Sequence, residues 1–206
     1  MTSKPRGNAD KLRILALHGF RGSGAALHRQ MRAFGAGLAD EAEFVCADAP
    51  ARADGAVGWW RALEESDPND APIKRYDGWD KSRDFIAERC RLEGPFDGVF
   101  GFSQGATLAG LLVALGTPSF EFAILVGGFV SADPAHVPLY RPGAFDVPSL
   151  HLIGLADNVV PPERSRALAL SFHEPLILEH EGGHIVPAGA QVLDDTLAFL
   201  RKMRVR

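Results

Sequence analysis

Ser103 stands between Gly101 and Gly105 in FDGVFGFSQGA, where an apolar strand-like run (97–102) gives way to an apolar helical run (104–115). A G-x-S-x-G sequence at a strand–turn–helix junction lifts its serine above the sheet edge, and the small flanking residues let strand and helix approach closely. The unpaired N–H groups at the helix start then point toward whatever the hydroxyl attacks. Nucleophile and part of an anion site arrive together. A serine at this position could instead simply cap the helix, but capping does not require glycine on both sides.

A hydroxyl becomes nucleophilic only when a base takes its proton and a third group orients that base. In this kind of elbow the partners follow in the order serine, acid, histidine. The downstream histidines are His136, His151, His173, His180 and His184. His184 lies in EHEGGHIVP, beyond the last expected strand, on a loop loosened by Gly182 and Gly183. His151 falls inside a strand pattern and His173 near a helix end, both structural positions, while His180 competes but remains within a strand pattern. Asp157 follows SLHLIGL at a strand's carboxyl end, ahead of a helix opened by Pro161 and Pro162. Its plainer role would be to begin a turn with Asn158; Asp133 and Asp146, in an irregular stretch, have weaker claims. As the acid, Asp157 would set the tautomer of His184 and stabilise its imidazolium.

An anionic intermediate needs donors as well. The first strand ends in LALHGFRGSGAA, whose Gly19, Gly22 and Gly24 bring backbone near the neighbouring strand end. The expected oxyanion donors are the backbone amides of Phe20 and Gln104. A phosphate-cradling role for this loop is disfavoured, because neither G-K-[ST] nor G-x-G-x-x-G is present.

These residues need a scaffold that gathers loops at one edge. Strands are expected at 12–18, 44–50, 97–102, 121–128, 149–155 and 175–181, with helices near 24–39, 80–92, 104–115, 162–172 and 188–203. Several strands are apolar at consecutive positions, which suits burial on both faces, and the alternation predicts a mostly parallel sheet with right-handed crossovers. Asp80 is the expected cap of the second helix, and Gly94-Pro95 its end. Residues 51–79, with Trp59, Trp60 and Trp79, and residues 129–148, with four prolines, break the alternation. Such long connections at the carboxyl edge are usually functional.

The 206 residues and 46% hydrophobic content suit one globular domain (12–206) with a cap-like insert at about 51–79 and a flexible leader at 1–11. A net charge of −4 gives no electrostatic case for nucleic acid or an anionic membrane. No apolar run approaches the roughly 20 residues of a membrane span. The polar start MTSKPRGNADK has no secretory pattern, so the cytoplasm is the expected compartment. Cys46 and Cys90 are expected as free, buried thiols. No metal and no cofactor is expected, since no Cys/His set has zinc spacing. The oligomeric state is not encoded in any pattern.

With these pieces assembled, the chain resembles the FSH-type serine hydrolases, a branch of the α/β-hydrolase superfamily. The likeness is carried by LALHGF (15–20), WW (59–60), YDGWDKS (76–82), GPFDGVFGFSQGA (94–106), FAILVGGF (122–129), PSLHLIGLADNVVP (148–161) and GGHIVP (182–187). The resemblance implies an α/β-hydrolase fold of about six mostly parallel strands with helices on both faces. It also implies hydrolysis of a small-molecule ester or thioester by a Ser103–Asp157–His184 triad. The acyl-protein thioesterase and carboxylesterase group shares GFSQG and the D-x-x-V-P pattern at Asp157–Pro161. Its oxyanion loop reads His-Gly-x-Gly-Asp, whereas this chain has His18-Gly19-Phe20-Arg21-Gly22. Trp59 and Trp60, with Phe129 and Val159 nearby, are expected either to wall an apolar acyl pocket or to pack the insert onto the body.

Overall fold

A computed structural model describes residues 11–51, 58–65 and 73–205. The expected leader, but for Lys11, and parts of the 51–79 insert lie outside the described residues.

Each of the six expected strand runs forms a strand: β1 (Leu12–Leu17), β2 (Ala42–Ala47), β5 (Gly98–Phe102), β6 (Phe122–Val126), β7 (Ser149–Gly154) and β8 (Leu176–His180). Among the described residues they make one sheet in the order β2-β1-β5-β6-β7-β8, every pairing parallel. The chain runs outward from β1 to β2, then resumes on the other side of β1 with β5 and proceeds away. The direction reverses between β1 and β5, so the crevice at their carboxyl ends is the fold's natural site. The loop with Phe20 and the elbow with Ser103 both open there.

Strand parity divides the core. Leu12, Ile14, Ala16, Phe100, Phe122, Ile124 and Leu150 face α1 (Gly24–Gln30), α2 (Arg32–Gly37) and α6 (Ala190–Arg204) through Leu27, Phe34, Phe199 and Leu200. Leu15, Leu17, Val99, Ala123 and Leu125 face the opposite way. They meet Ile86 of α3 (Trp79–Glu93), Leu108 and Leu112 of α4 (Gln104–Leu115) and Leu168 of α5 (Pro162–Ala169). Burial on both sides explains why these strands lack polar alternation.

Three expectations are corrected. The helix expected over 24–39 is two, broken at Met31 (φ −95°, ψ 13°), whose side chain turns into the core; Gly35 and Gly37 weaken helical propensity just beyond. Gly78, at φ 83°, is the N-cap of α3, and Asp80 sits within the first turn, where its charge still favours the helix dipole. The irregular insert contains an antiparallel pair, β3 (Arg61–Glu65) with β4 (Ile73–Asp77). Their charged runs, RALEE and IKRYD, hid the strand pattern.

The second irregular stretch holds a short 3-10 helix at Pro134–Leu139 and packs on this ribbon. Asp133 accepts the Tyr76 amide at 2.8 Å and pairs with Arg75 at 3.3 Å, and Tyr76 stacks on Trp60 with ring centres 4.7 Å apart. Cys46 and Cys90 are free, and burial pushes each thiol up to about 11. No helix among the described residues is long and apolar enough to cross a membrane.

The tightest point is the start of α4. A Cβ on Gly105 would lie 2.2 Å from the Leu17 carbonyl oxygen and 2.6 Å from that of His18. Backbone cannot yield as a side chain can, so Gly105→Ala should destabilise the fold by about 3 kcal/mol, read from the urea midpoint. An unchanged midpoint would mean that α4 tolerates being pushed off β1.

Candidate active site

Ser103 adopts φ 56° and ψ −117°, the strained turn expected of a nucleophile elbow, between β5 and the first residue of α4. Its own N–H donates to the Val126 carbonyl at 2.8 Å, and its carbonyl accepts from Ala106 and Thr107. Gly101 is required on the strand side, since a Cβ there would sit 2.4 Å from the Ala106 Cα. Ser103 forms no capping bond through its side chain.

Asp157 and His184 meet. His184 Nδ1 donates to Asp157 Oδ2 at 2.6 Å, and Oδ1 accepts the amides of Val159 at 2.9 Å and Val160 at 2.8 Å. Burial alone would raise the Asp157 pKa, but the bonds from His184, Val160 and Val159 outweigh it and hold the carboxyl below its ordinary value. The loop carrying His184 is pinned to β7: Ala156 donates to the Gly182 carbonyl, and a Cβ on Gly154 would strike the Gly182 and Gly183 carbonyls. The His184 ring lies 4.7 Å from that of Phe102, the residue before Ser103. His180 stays at the end of β8, where its Nδ1 accepts the Gly182 amide at 3.1 Å. His151 is buried, its ring 5.0 Å from Phe172, and burial pushes it down to about 3.

On the other flank, His18 is sealed beneath the loop that follows β1. Its Nε2 accepts the Ala49 amide at 3.1 Å, so Nδ1 carries the proton and donates to the Gly19 carbonyl at 2.7 Å. Burial lowers its pKa against the opposing pull of Gly19 and Asp48, keeping the ring neutral. Gln104, first residue of α4, has an amide ahead of the helical ladder. Phe20 is exposed on the loop.

The proposed pocket residues divide. Trp59 is 0% exposed and Trp60 3%, so packing describes these two indoles. Phe129 is half-buried and doubly bonded through its backbone to the Thr107 hydroxyl, one turn along α4. Val159 is 66% exposed on the Asp157 turn. A cavity of about 130 Å³ lies behind the Phe20 loop, lined by His18, Gly22, Asp48 and Gly58 among others. A larger one, about 530 Å³, lies at the amino ends of β7 and β8 beside α6, on the sheet edge opposite Ser103.

The elbow, the Asp157–His184 pair and the strand order invite comparison with known hydrolases. Residues 8–196 match the family described as Serine hydrolase (FSH1). The chain belongs to that family. Esterase OVCA2 of Xenopus tropicalis is 37% identical over 202 residues, covering 87% of each chain. Its Homo sapiens counterpart is 35% identical over 92% of this chain and 95% of its own. Esterase CG5412 of Drosophila melanogaster is 34% identical over 93% of this chain and 74% of its own. The crystal structure of Zea mays acyl-protein thioesterase 2 superposes with a TM-score of 0.66 at 21% identity, over 98% of this chain and 97% of that one. The shared architecture is the α/β-hydrolase fold.

Two features of this FSH1-family hydrolase escaped the sequence reading. One is the Gln104 side chain, which lies buried against Trp59 and Trp60 rather than projecting into solvent. The other is the pair of amides behind Asp157, for which the D-x-x-V-P spacing was the available signal. A carboxylate whose native pKa lies below its unfolded value stabilises at every pH above the unfolded value, and loses that contribution as pH falls through the native one. Asp157 and Asp133 are both lowered from 3.8. The melting temperature should therefore begin to fall below about pH 6.5, where the buried His151 and His18 stay neutral in the fold but charge in the unfolded chain, with a further acid limb below about pH 4 as Asp157 and Asp133 lose their contribution. Asp157→Asn should make that acid limb shallower; an identical limb would mean that Asp157 contributes nothing to it.

Proposed function

We propose that this serine hydrolase cleaves carboxylic esters or thioesters with an apolar acyl group, using Ser103 as nucleophile, His184 as base and Asp157 as its orienting acid. The ester-cleaving class follows from family membership and from relatives that are themselves esterases. The 2.6 Å bond between His184 Nδ1 and Asp157 carries the finer assignment. It sets the tautomer that leaves Nε2 free to take the Ser103 proton.

In this mechanism Ser103 Oγ attacks the acyl carbonyl while His184 Nε2 accepts its proton. The tetrahedral oxyanion is held by the amides of Phe20 and Gln104, at the positive end of α4. His184 then protonates the departing alcohol or thiol. Water, activated by the same imidazole, releases the acid from the acyl-enzyme. Exposed Phe20, Val159 and Ile185, on loops following β1, β7 and β8, support an apolar acyl group.

The test is hydrolysis of an ester series of increasing acyl length, followed by acyl-CoA thioesters, by wild type and Ser103→Ala. Ser103→Ala and His184→Ala should each cut kcat at least about 10³-fold with a cooperative urea transition kept, while His180→Ala should retain most activity. Full activity in Ser103→Ala would remove the nucleophile. The reverse order for the two histidines would move the base to His180. No turnover, together with no fluorophosphonate labelling of Ser103, would make the chain a binding module on a hydrolase fold.

A further inference from the structure

We propose that Trp59 is a positioning residue that holds the two oxyanion donors, Phe20 and Gln104, in fixed relation to each other; this rests on the oxyanion assignment above. The two donors come from segments far apart in sequence. The β1–β5 ladder pairs Leu17 with Gly101 as its last matched residues, short of both donors. The Gly105 contact with the Leu17 and His18 carbonyls fixes how close α4 comes to β1 but ends two residues short of Phe20, so a further contact is needed to hold the loop carrying that donor.

Trp59 touches both sides. Its main-chain N–H donates to Gln104 Oε1 at 3.0 Å, and Gln104 Nε2 donates to the Trp60 carbonyl at 2.9 Å. The side-chain amide thus clasps the main chain at two successive residues. The Trp59 indole N–H donates to the His18 carbonyl at 2.7 Å, two residues before Phe20, and its ring lies 4.9 Å from the His18 imidazole. The Ser82 hydroxyl donates to the Trp59 carbonyl and ties the strap to α3. Gly58, at φ 145°, lets the chain pass beneath the loop: a Cβ there would lie 2.9 Å from Gln104 Oε1 and 3.0 Å from the Phe20 ring.

His18, Trp59 and Gln104 are all buried. Their bonds therefore do not compete with water, and breaking one leaves a polar group unpaired. Any large apolar side chain would fill the space; the indole N–H is what calls for tryptophan. Donors to an oxyanion act when charge develops, so a loosened pair lowers kcat and leaves ground-state binding almost untouched.

The experiment compares wild type, Trp59→Phe and Gln104→Met on one ester and its thiono analogue, in which C=S replaces the reacting C=O. Sulfur is larger and a poorer acceptor, so rigidly spaced donors favour the oxygen ester and mobile ones favour it less. Trp59→Phe should lose about 10-fold or more in kcat with KM within about twofold. Its oxo-to-thiono ratio in kcat/KM should shrink about threefold or more. Gln104→Met, which keeps the donor amide and loses both side-chain bonds, should move the same way. It carries the test alone if Trp59→Phe does not fold by its urea transition. A wild-type ratio in a folded variant, whether or not kcat falls, overturns the positioning role. A wild-type enzyme that does not discriminate oxygen from sulfur overturns the oxyanion assignment itself, and the proposal with it.

Discussion

Helix α4 begins so close to the end of β1 that the carbonyls of Leu17 and His18 leave no room for a side chain at residue 105. That contact brings two strands' loops, one on each side of the sheet's point of reversal, into a single crevice. It also obliges Ser103 to turn at φ 56° to connect β5 to a helix already in place. The strain is local, and the surroundings over-determine it: the Ser103 amide is held by β6, and its carbonyl by the first turn of α4. The His18 carbonyl beside Gly105 is the same group that receives the Trp59 indole. One close approach thus sets the elbow and supplies the anchor for the strap beside it.

The acidic side of the site obeys a different rule. A carboxylate that is only 4% exposed would ordinarily resist ionisation, yet Asp157 is surrounded by three donors. Two are backbone amides, which cannot leave or change protonation, and they favour the charged carboxylate alongside the imidazole. The third aims His184. In the proposed mechanism, preorganisation of this kind spends burial energy once, during folding, rather than at each turnover.

Much of this was legible in the order of residues. Doubly buried strands show as unbroken apolar runs, and all six were found within a few residues of their ends because both faces of the sheet are covered. Ser103, Asp157 and His184 stood out because strand ends, glycine pairs and prolines punctuate them. The ribbon of β3 and β4 did not stand out: its mostly charged residues carry no clear burial period, and its order comes from distant Asp133 and from Trp60 just ahead of β3. The Trp59–Gln104 pairing was illegible for a related reason. A glutamine's amide can match a distant backbone only when tertiary structure brings the two together, and spacing along the chain does not encode that meeting.

The sheet order also governs how the molecule must assemble. Strand β1 sits between a neighbour close behind it in sequence and another whose contact with it, Arg13 to Asp97, spans 84 residues. The face covered early by α1 and α2 is completed by α6, and Glu41 is tied to Arg201 and Arg204 across 160 and 163 residues. Closing loops of that length costs entropy before any contact repays it. Neither half of the chain presents a finished sheet, and the crevice holding Ser103 exists only where β1 meets β5.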